Sequence, residues 1–65
     1  MPVAKVIEII AEGKTIEDAM HNALNEAKKS IRGIKSIDVE HIHAKVKEDK
    51  ISALRVVTKI SFVVE

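Results

Sequence analysis

Two histidines separated by one residue are the side chains in this sequence best suited to bind a metal ion. His41 and His43 lie in a stretch rich in β-branched residues. Residues two apart on a strand point to the same face, as in His-x-His metal sites. Asp38 and Glu8 offer carboxylates nearby or on a symmetry axis of an assembly. The alternative is a pair of exposed or interface histidines, because a zinc site needs a third ligand that the sequence does not identify.

Carboxylates near the histidines suggest a second kind of metal site. Asp38 and Glu40 are expected on one face and, with Glu48 or Glu65 from other chains, would supply the several oxygen ligands that calcium prefers. The alternative for each of these carboxylates, and for Glu8, is an exposed or paired side chain.

Basic residues on the predicted strands suggest anion binding. Arg55, with Lys45 or Lys59, would hold a phosphate in a pocket between subunits. The alternative is that these side chains are solvated or form salt bridges.

The sequence contains no recognisable catalytic motif. The chain has no cysteine, its two glycines stand alone rather than in a phosphate-binding loop, and no Ser-His-Asp spacing is evident. We therefore predict that the protein is not an enzyme.

Length and composition point to one small self-associating domain, residues 1–65. A chain of 65 residues buries only roughly 60% of its unfolded surface, and without cysteine it has no disulfides, so oligomerisation is expected. A net charge of +1 and a single aromatic residue, Phe62, argue against nucleic acid as a partner. No apolar run is long enough to span a membrane, and no signal peptide is evident, so we expect a cytoplasmic protein.

One amphipathic helix is the clearest predicted element. Thr15 is expected to cap its start, with Asp18 three residues later, and Gly33 to end it. Acidic residues in the first turn and basic residues near the end suit the helix dipole. Apolar residues recur along one face at Ile16, Ala19, Met20, Ala23, Leu24, Ala27 and Ile31.

Three β-rich segments surround this helix. The first covers residues 3–10, with both faces apolar, and a connection over 11–14 bends at Gly13. The second covers 34–46, and a charged turn over 47–50 joins it to the third, 51–64, in an antiparallel hairpin. The apolar phase of the second strand reverses near Glu40-His41, which indicates either a bulge or two halves that face different neighbours.

These elements predict an α+β fold of β-α-β-β order, a three-stranded antiparallel sheet wrapped on one helix. A single helix covers only one side of such a sheet. The second apolar set, from the first strand and part of the third, then stays exposed in a monomer and marks a protein–protein contact.

The whole pattern resembles the dodecin family. It is carried by the opening segment Lys5-Val6-Ile7-Glu8-Ile9-Ile10, the closing segment Lys59-Ile60-Ser61-Phe62-Val63-Val64, and the alanines of the helix. The resemblance implies a hollow homododecamer that binds or stores a small ligand. Many dodecins bind flavins, and some bind coenzyme A or metal ions.

The resemblance also implies where a flavin would bind. Dodecins stack flavins on a tryptophan whose position matches Ser36, and pair the flavin edge with a glutamine whose position matches Arg55. Asp38 and Lys45 would line the same inter-subunit pocket. Losing the aromatic platform costs on the order of 1–3 kcal/mol, by analogy with base stacking. We therefore expect an altered flavin site. The alternatives are a flavin in a rebuilt pocket, a calcium-like ion, or a purely structural assembly.

Overall fold

The computed structural model describes residues 3–64 as one sheet and one helix. The elements are β1 (Val3–Gly13), α1 (Ile16–Lys28), β2 (Ile34–Lys47) and β3 (Lys50–Val64). β3 lies in the centre of the sheet and pairs antiparallel with β1 on one side and β2 on the other. The predicted β-α-β-β fold with a three-stranded antiparallel sheet is confirmed.

The start of α1 follows the prediction, whereas its end does not. The Thr15 hydroxyl accepts a hydrogen bond from the Asp18 backbone N–H at 3.0 Å, so the predicted cap is formed. The helix ends at Lys28, earlier than predicted, and a tight turn follows it. Gly33 is left-handed at φ 77°, but its carbonyl accepts from the Val63 N–H at 3.1 Å. Gly33 therefore attaches the connection to β3 instead of ending the helix.

β1 is three residues longer than predicted. Ala11, Glu12 and Gly13 pair with residues of β3 and form no separate loop. Gly13 is not a bend either. A Cβ on this residue would lie 2.5 Å from the Ala19 backbone nitrogen, because the first turn of α1 crosses directly over it. Glycine is required here by the close approach of helix to strand.

The core lies between α1 and one face of the sheet, which we call the helix-facing side. Three alanines of the helix, Ala19, Ala23 and Ala27, are buried against it. The largest fully buried side chains of the core come from alternate positions of β3 and are Ile60, Val56 and Thr58. Thr58 is satisfied because its hydroxyl donates to the Ile9 carbonyl at 2.7 Å. Small helix residues thus let the backbone of α1 approach the sheet closely.

A β-bulge explains the reversed apolar phase of β2. Val39 pairs with Thr58, but His41 pairs with Val57, so Glu40 is an extra residue without a partner in the ladder. Of the two explanations left open, the bulge is therefore confirmed. A second irregularity lies between Ile34 and Ser36 and leaves Lys35 as an extra residue in the same way.

The hairpin of β2 and β3 has a tighter turn than the predicted four residues. Lys47 pairs with Lys50, and only Glu48 and Asp49 lie between the strands. Both have positive φ, 52° and 64°, as a two-residue type I′ turn requires.

Two parts of the sheet remain uncovered. α1 lies mainly over β1 and β3 and touches β2 least. The opposite side of the sheet, which we call the outer face, has no element packed on it among residues 3–64. Val6 and Ile10, on the outer face of β1, are 60% and 59% exposed. The predicted uncovered apolar set is therefore present. No helix in this part of the chain is long and apolar enough to cross a membrane.

The close contact at Gly13 yields a stability prediction. We expect Gly13→Ala to destabilise the fold by about 1–3 kcal/mol, because the added methyl meets backbone atoms of α1 that cannot rotate away. Urea denaturation at fixed protein concentration measures the effect. Lys14→Ala, at the exposed neighbouring position, is the control and should change stability by less than about 0.5 kcal/mol. A Gly13→Ala protein as stable as the original would contradict this packing.

Candidate functional site

The outer face gathers most of the residues predicted to bind a ligand. Because Val56, Thr58 and Ile60 face the helix, the odd-numbered positions of β3 face outward. The register places residues of β2 beside those positions, and they share the outer face. Every residue predicted for the inter-subunit pocket lies there, namely Ser36, Asp38, Lys45 and Arg55.

One end of the outer face is small and polar. The Ser36 and Ser61 hydroxyls are 2.5 Å apart and hydrogen-bond to each other across the strands. Val6 of β1 pairs with Ser61 on its other side and is exposed. The one aromatic residue of the chain, Phe62, points to the helix-facing side. Among residues 3–64, no aromatic side chain at this end of the outer face offers a surface for stacking a ring.

The other end of the outer face carries a three-residue ion cluster. The Glu12 carboxylate accepts from Lys45 Nζ at 3.2 Å and from Arg55 Nη2 and Nε at 3.2 and 3.3 Å. The carbonyl of Glu12 also accepts from Asn22 Nδ2 at 2.7 Å, which connects the helix to this end of β1. The cluster spans all three strands.

Hydrogen bonds from two cations change the acidity of Glu12. Lys45, followed by Arg55, lowers the pKa of this carboxyl below its ordinary value of 4.5. Both cations are therefore engaged by a carboxylate of the same chain. Salt bridges were one of the two alternatives for Arg55 and Lys45, and the structure has them. The residue missed in the sequence was Glu12, because it was assigned to a loop.

The two positions matched to flavin contacts do not meet within one chain. Ser36 lies beside Ser61 and Arg55 lies six positions away on β3, a separation of about 20 Å along the strand. A small ligand that touches both positions would have to take them from different copies of the chain.

The predicted metal ligands are spread along the outer face from the middle of the sheet to the ion cluster. His41 pairs with Val57 and His43 with Arg55, so the two histidines share one face, and that face is the outer one. Glu8 and Asp38 flank Lys59 on its two neighbouring strands, while Lys59 Nζ contacts Glu40 Oε1 at 3.4 Å.

These side chains do not make a complete metal site in one chain. Within residues 3–64, no three or more His, Asp or Glu side chains are placed to hold one metal ion. Glu65, named above for a calcium site, lies outside the described residues. Any metal site here would need ligands from a neighbouring copy.

Comparisons with known proteins agree with this architecture. The family model described as Dodecin matches residues 3–65. An Arg-to-Ala variant of the Thermus thermophilus dodecin is 26% identical, with 100% of this chain and 98% of that chain covered and a TM-score of 0.92. A Trp-to-Phe variant of the same dodecin is equally similar. A search of curated proteins finds no match.

Two more distant structures share the fold. A dodecin from Streptomyces davaonensis is 17% identical, with 98% of this chain and 96% of that chain covered and a TM-score of 0.89. A dodecin from Streptomyces coelicolor is 18% identical, with 98% and 93% covered and the same TM-score.

The ion cluster predicts a pH dependence. A carboxyl whose pKa is lowered by folding stabilises the folded state above its unfolded pKa, and this contribution is lost as the pH falls through the lowered pKa. We therefore expect Glu12→Gln to be less stable at neutral pH and to lose less of its stability on acidification below 4.5. Urea denaturation at neutral and acidic pH measures both effects.

The matched control for this test is Glu17→Gln, which removes an exposed carboxylate from the first turn of α1. Carboxyl carbon NMR gives an independent readout, since the signal of Glu12 should titrate below 4.5. Identical acid profiles for Glu12→Gln and the original protein would contradict the role of the cluster.

Proposed function

We propose a function from one premise, that this chain belongs to the dodecin family. The protein is a homo-oligomeric binding and storage protein, assembled as a dodecamer, with no catalytic role. Its outer sheet face forms the surface between subunits, and the flavin site of the family is altered in it. The observation that carries the proposal is the outer face itself, which is apolar in part, uncovered, and without an aromatic platform.

Exposed apolar area on β1 supports the assembly. Val6 and Ile10 are more than half exposed on a face that nothing covers among residues 3–64. Full burial of such a side chain stabilises by about 1.5–3 kcal/mol, and a 65-residue domain has few other sources of stability. A neighbouring copy that covers this face would recover that energy.

The altered flavin site rests on two residues. Ser36 is a short hydroxyl side chain engaged with Ser61, and it offers no ring for stacking. Arg55 only donates hydrogen bonds, and its donors are directed to Glu12, whereas glutamine both donates and accepts. The T. thermophilus dodecin contains the tryptophan that its Trp-to-Phe variant replaces, and this chain has none. A flavin would lose both contacts.

A different occupant of the inter-subunit surface is a polar ligand or a cation. Lys45, Arg55, Ser36 and Asp38 would contribute polar groups from adjacent copies. His41 and His43 are exposed on one strand and would supply half of a metal site, completed by Asp38 and Glu8 of a second copy. The shared outer face of these residues favours this second candidate.

The absence of a catalytic role is inferred from the partners of the serines on the outer face. Ser36 and Ser61 bond each other rather than a histidine. A serine nucleophile needs a base within hydrogen-bond reach.

The assembly is tested by native mass spectrometry of the untagged protein. We expect a species of about 86 kDa, twelve times the 7.2 kDa chain, because the exposed apolar face is covered only in an oligomer. Any mass above this value reports a co-purifying ligand or ion. A chain that stays monomeric at micromolar concentration would refute the proposal.

The flavin site is tested by restoring it. We expect the natural sequence to leave riboflavin and FMN fluorescence unquenched at high micromolar protein. The double variant Ser36→Trp with Arg55→Gln should bind flavin at least about 100-fold more tightly, since two contacts worth more than about 1.4 kcal/mol each are returned. Fluorescence titration measures both affinities.

A variant with the tryptophan in a different place is the control. Ser52→Trp with Arg55→Gln adds the same residue to an exposed site on β3 near the hairpin turn. It should bind no better than the natural sequence. Strong quenching by the natural sequence would instead establish flavin binding in a rebuilt pocket.

A further inference from the structure

Positive charge is concentrated in the connection between α1 and β2. Four of the eleven basic residues lie within residues 28–35, and no residue from 27 to 37 is acidic. The rest of the chain has seven basic and ten acidic residues, a net charge of −3. The connection is therefore the positive pole of an otherwise acidic subunit. It lies apart from the ion cluster of Glu12, Lys45 and Arg55.

Structural roles explain only half of this charge. Lys29 forms a salt bridge with Glu26 at 3.0 Å, and Lys28 in the last turn suits the helix dipole. Arg32 and Lys35 lie beyond the helix, and within residues 3–64 neither forms an ion pair. Their charges are available for a ligand.

The connection is held in one shape. The Gly33 carbonyl accepts from the Val63 N–H, and a Cβ on Gly33 would lie 2.9 Å from the Val63 carbonyl oxygen. Lys35 is the extra residue of the irregularity at the start of β2. Bulges of this kind redirect a side chain out of the regular strand pattern. The two unpaired cations are thus carried by an anchored segment.

Two adjoining grooves meet at this segment, and a third continues from the second one. The first, about 290 Å³, is lined by Arg32, Gly33, Lys35 and Val63. The second, about 490 Å³, shares Gly33 and Lys35 with it and runs between the end of α1 and the start of β2. We call the three grooves together the basic trough.

The third groove of the basic trough is apolar. It encloses about 230 Å³, shares Leu24 and Ile37 with the second groove, and adds Met20. It exists because α1 lies over β1 and β3 and leaves the helix-facing side of β2 partly open. Glu17 and His21 close its far end. The trough therefore runs from two cations, along an apolar floor, to a carboxylate.

We propose that the basic trough binds a single-chain amphiphilic anion, a carboxylate or phosphate head group on an alkyl chain. The head group would lie at Lys35 and Arg32, where charge-assisted hydrogen bonds are available. The alkyl chain would lie against Leu24, Met20 and Ile37. Glu17 at the far end repels a second anionic group and sets the direction of binding.

The chemistry of the walls argues for an alkyl chain rather than a ring system. None of the lining residues is Phe, Tyr or Trp, and the one imidazole ring, that of His21, lies at the far end, so a planar ligand held at the two cations gains no stacking. Volumes of 490 and 290 Å³ fall at the lower end of, or just below, the range of about 300–1,000 Å³ typical of small-ligand sites. Ser36 of the outer-face site also lines the second groove, so the trough adjoins that site there. The proposal rests on Arg32, Lys35, Leu24, Met20 and Ile37, and it does not depend on which ligand the outer face binds.

Calorimetric titration of the assembled protein tests the proposal with decanoate, decyl phosphate and decanol, each below its critical micelle concentration. Decanoate and decyl phosphate should bind, and decanol should bind at least about tenfold more weakly, because it lacks the charge. A preference between the two anions identifies the head group. Equal binding of decanol, or no binding of either anion, would overturn the proposal, including the case in which a neighbouring copy fills the trough.

Variants assign the binding to this trough. Arg32→Gln with Lys35→Gln should weaken decanoate binding by about tenfold or more, whereas Lys14→Gln with Lys50→Gln, an equal loss of exposed charge elsewhere, should not. The methyl NMR signal of Met20, in protein labelled at methionine, should shift on binding. Equal weakening by both variant pairs, or an unmoved Met20 signal, would also overturn it. Native mass spectrometry of the same samples reports the assembly separately, so failure of one proposal is distinguishable from failure of the other.

Discussion

The close packing of one alanine-lined helix on one face of the sheet determines the rest of this structure. Ala19, Ala23 and Ala27 bring the helix backbone down onto the sheet, and Gly13 removes the last side chain in its way. A helix of 13 residues placed this way covers β1 and β3 and contacts β2 least. The outer face and part of the edge strand β2 are therefore not covered by the helix. Both candidate binding surfaces are consequences of that incomplete coverage.

The order of elements follows from patterns that act over short distances. A capped amphipathic helix and three β-branched segments are enough to predict β-α-β-β, and Thr15 caps the helix as its sequence suggests. The errors lie at element ends. The sequence predicts a bend at Gly13 and the end of the helix at Gly33, because glycine is common at both kinds of position. In the fold, Gly13 makes room for the first turn of the helix, and Gly33 contacts Val63 on β3. Both contacts depend on how the elements pack, and no local sequence pattern indicates them.

The same reasoning separates what was predictable at the candidate site from what was not. Alternation along a strand is enough to place His41 and His43 on one face. From the sequence, the Arg55 side chain could be either solvated or in a salt bridge, because its partner Glu12 lies 43 residues away in the chain. Only the antiparallel register of β1 with β3 brings them together. The grooves beside β2 could not be predicted from the sequence either, because they result from the position of the helix on the sheet and not from a sequence motif.

The bulge at Glu40 has a consequence for how this protein can change over evolutionary time. One extra residue sets the phase of the whole distal arm of β2, with His41 and His43 outward and Ile42 on the helix-facing side. Because Glu40 is the extra residue, deletion of its codon would remove the bulge and leave Val39 opposite Thr58 and His41 opposite Val57, so the arm would keep both of its surfaces. A regular ladder that kept Glu40 would instead turn the histidines inward and place Ile42 among the outer-face charges. Related chains can therefore gain or lose this residue without changing what the arm presents, as long as the bulge is gained or lost with it.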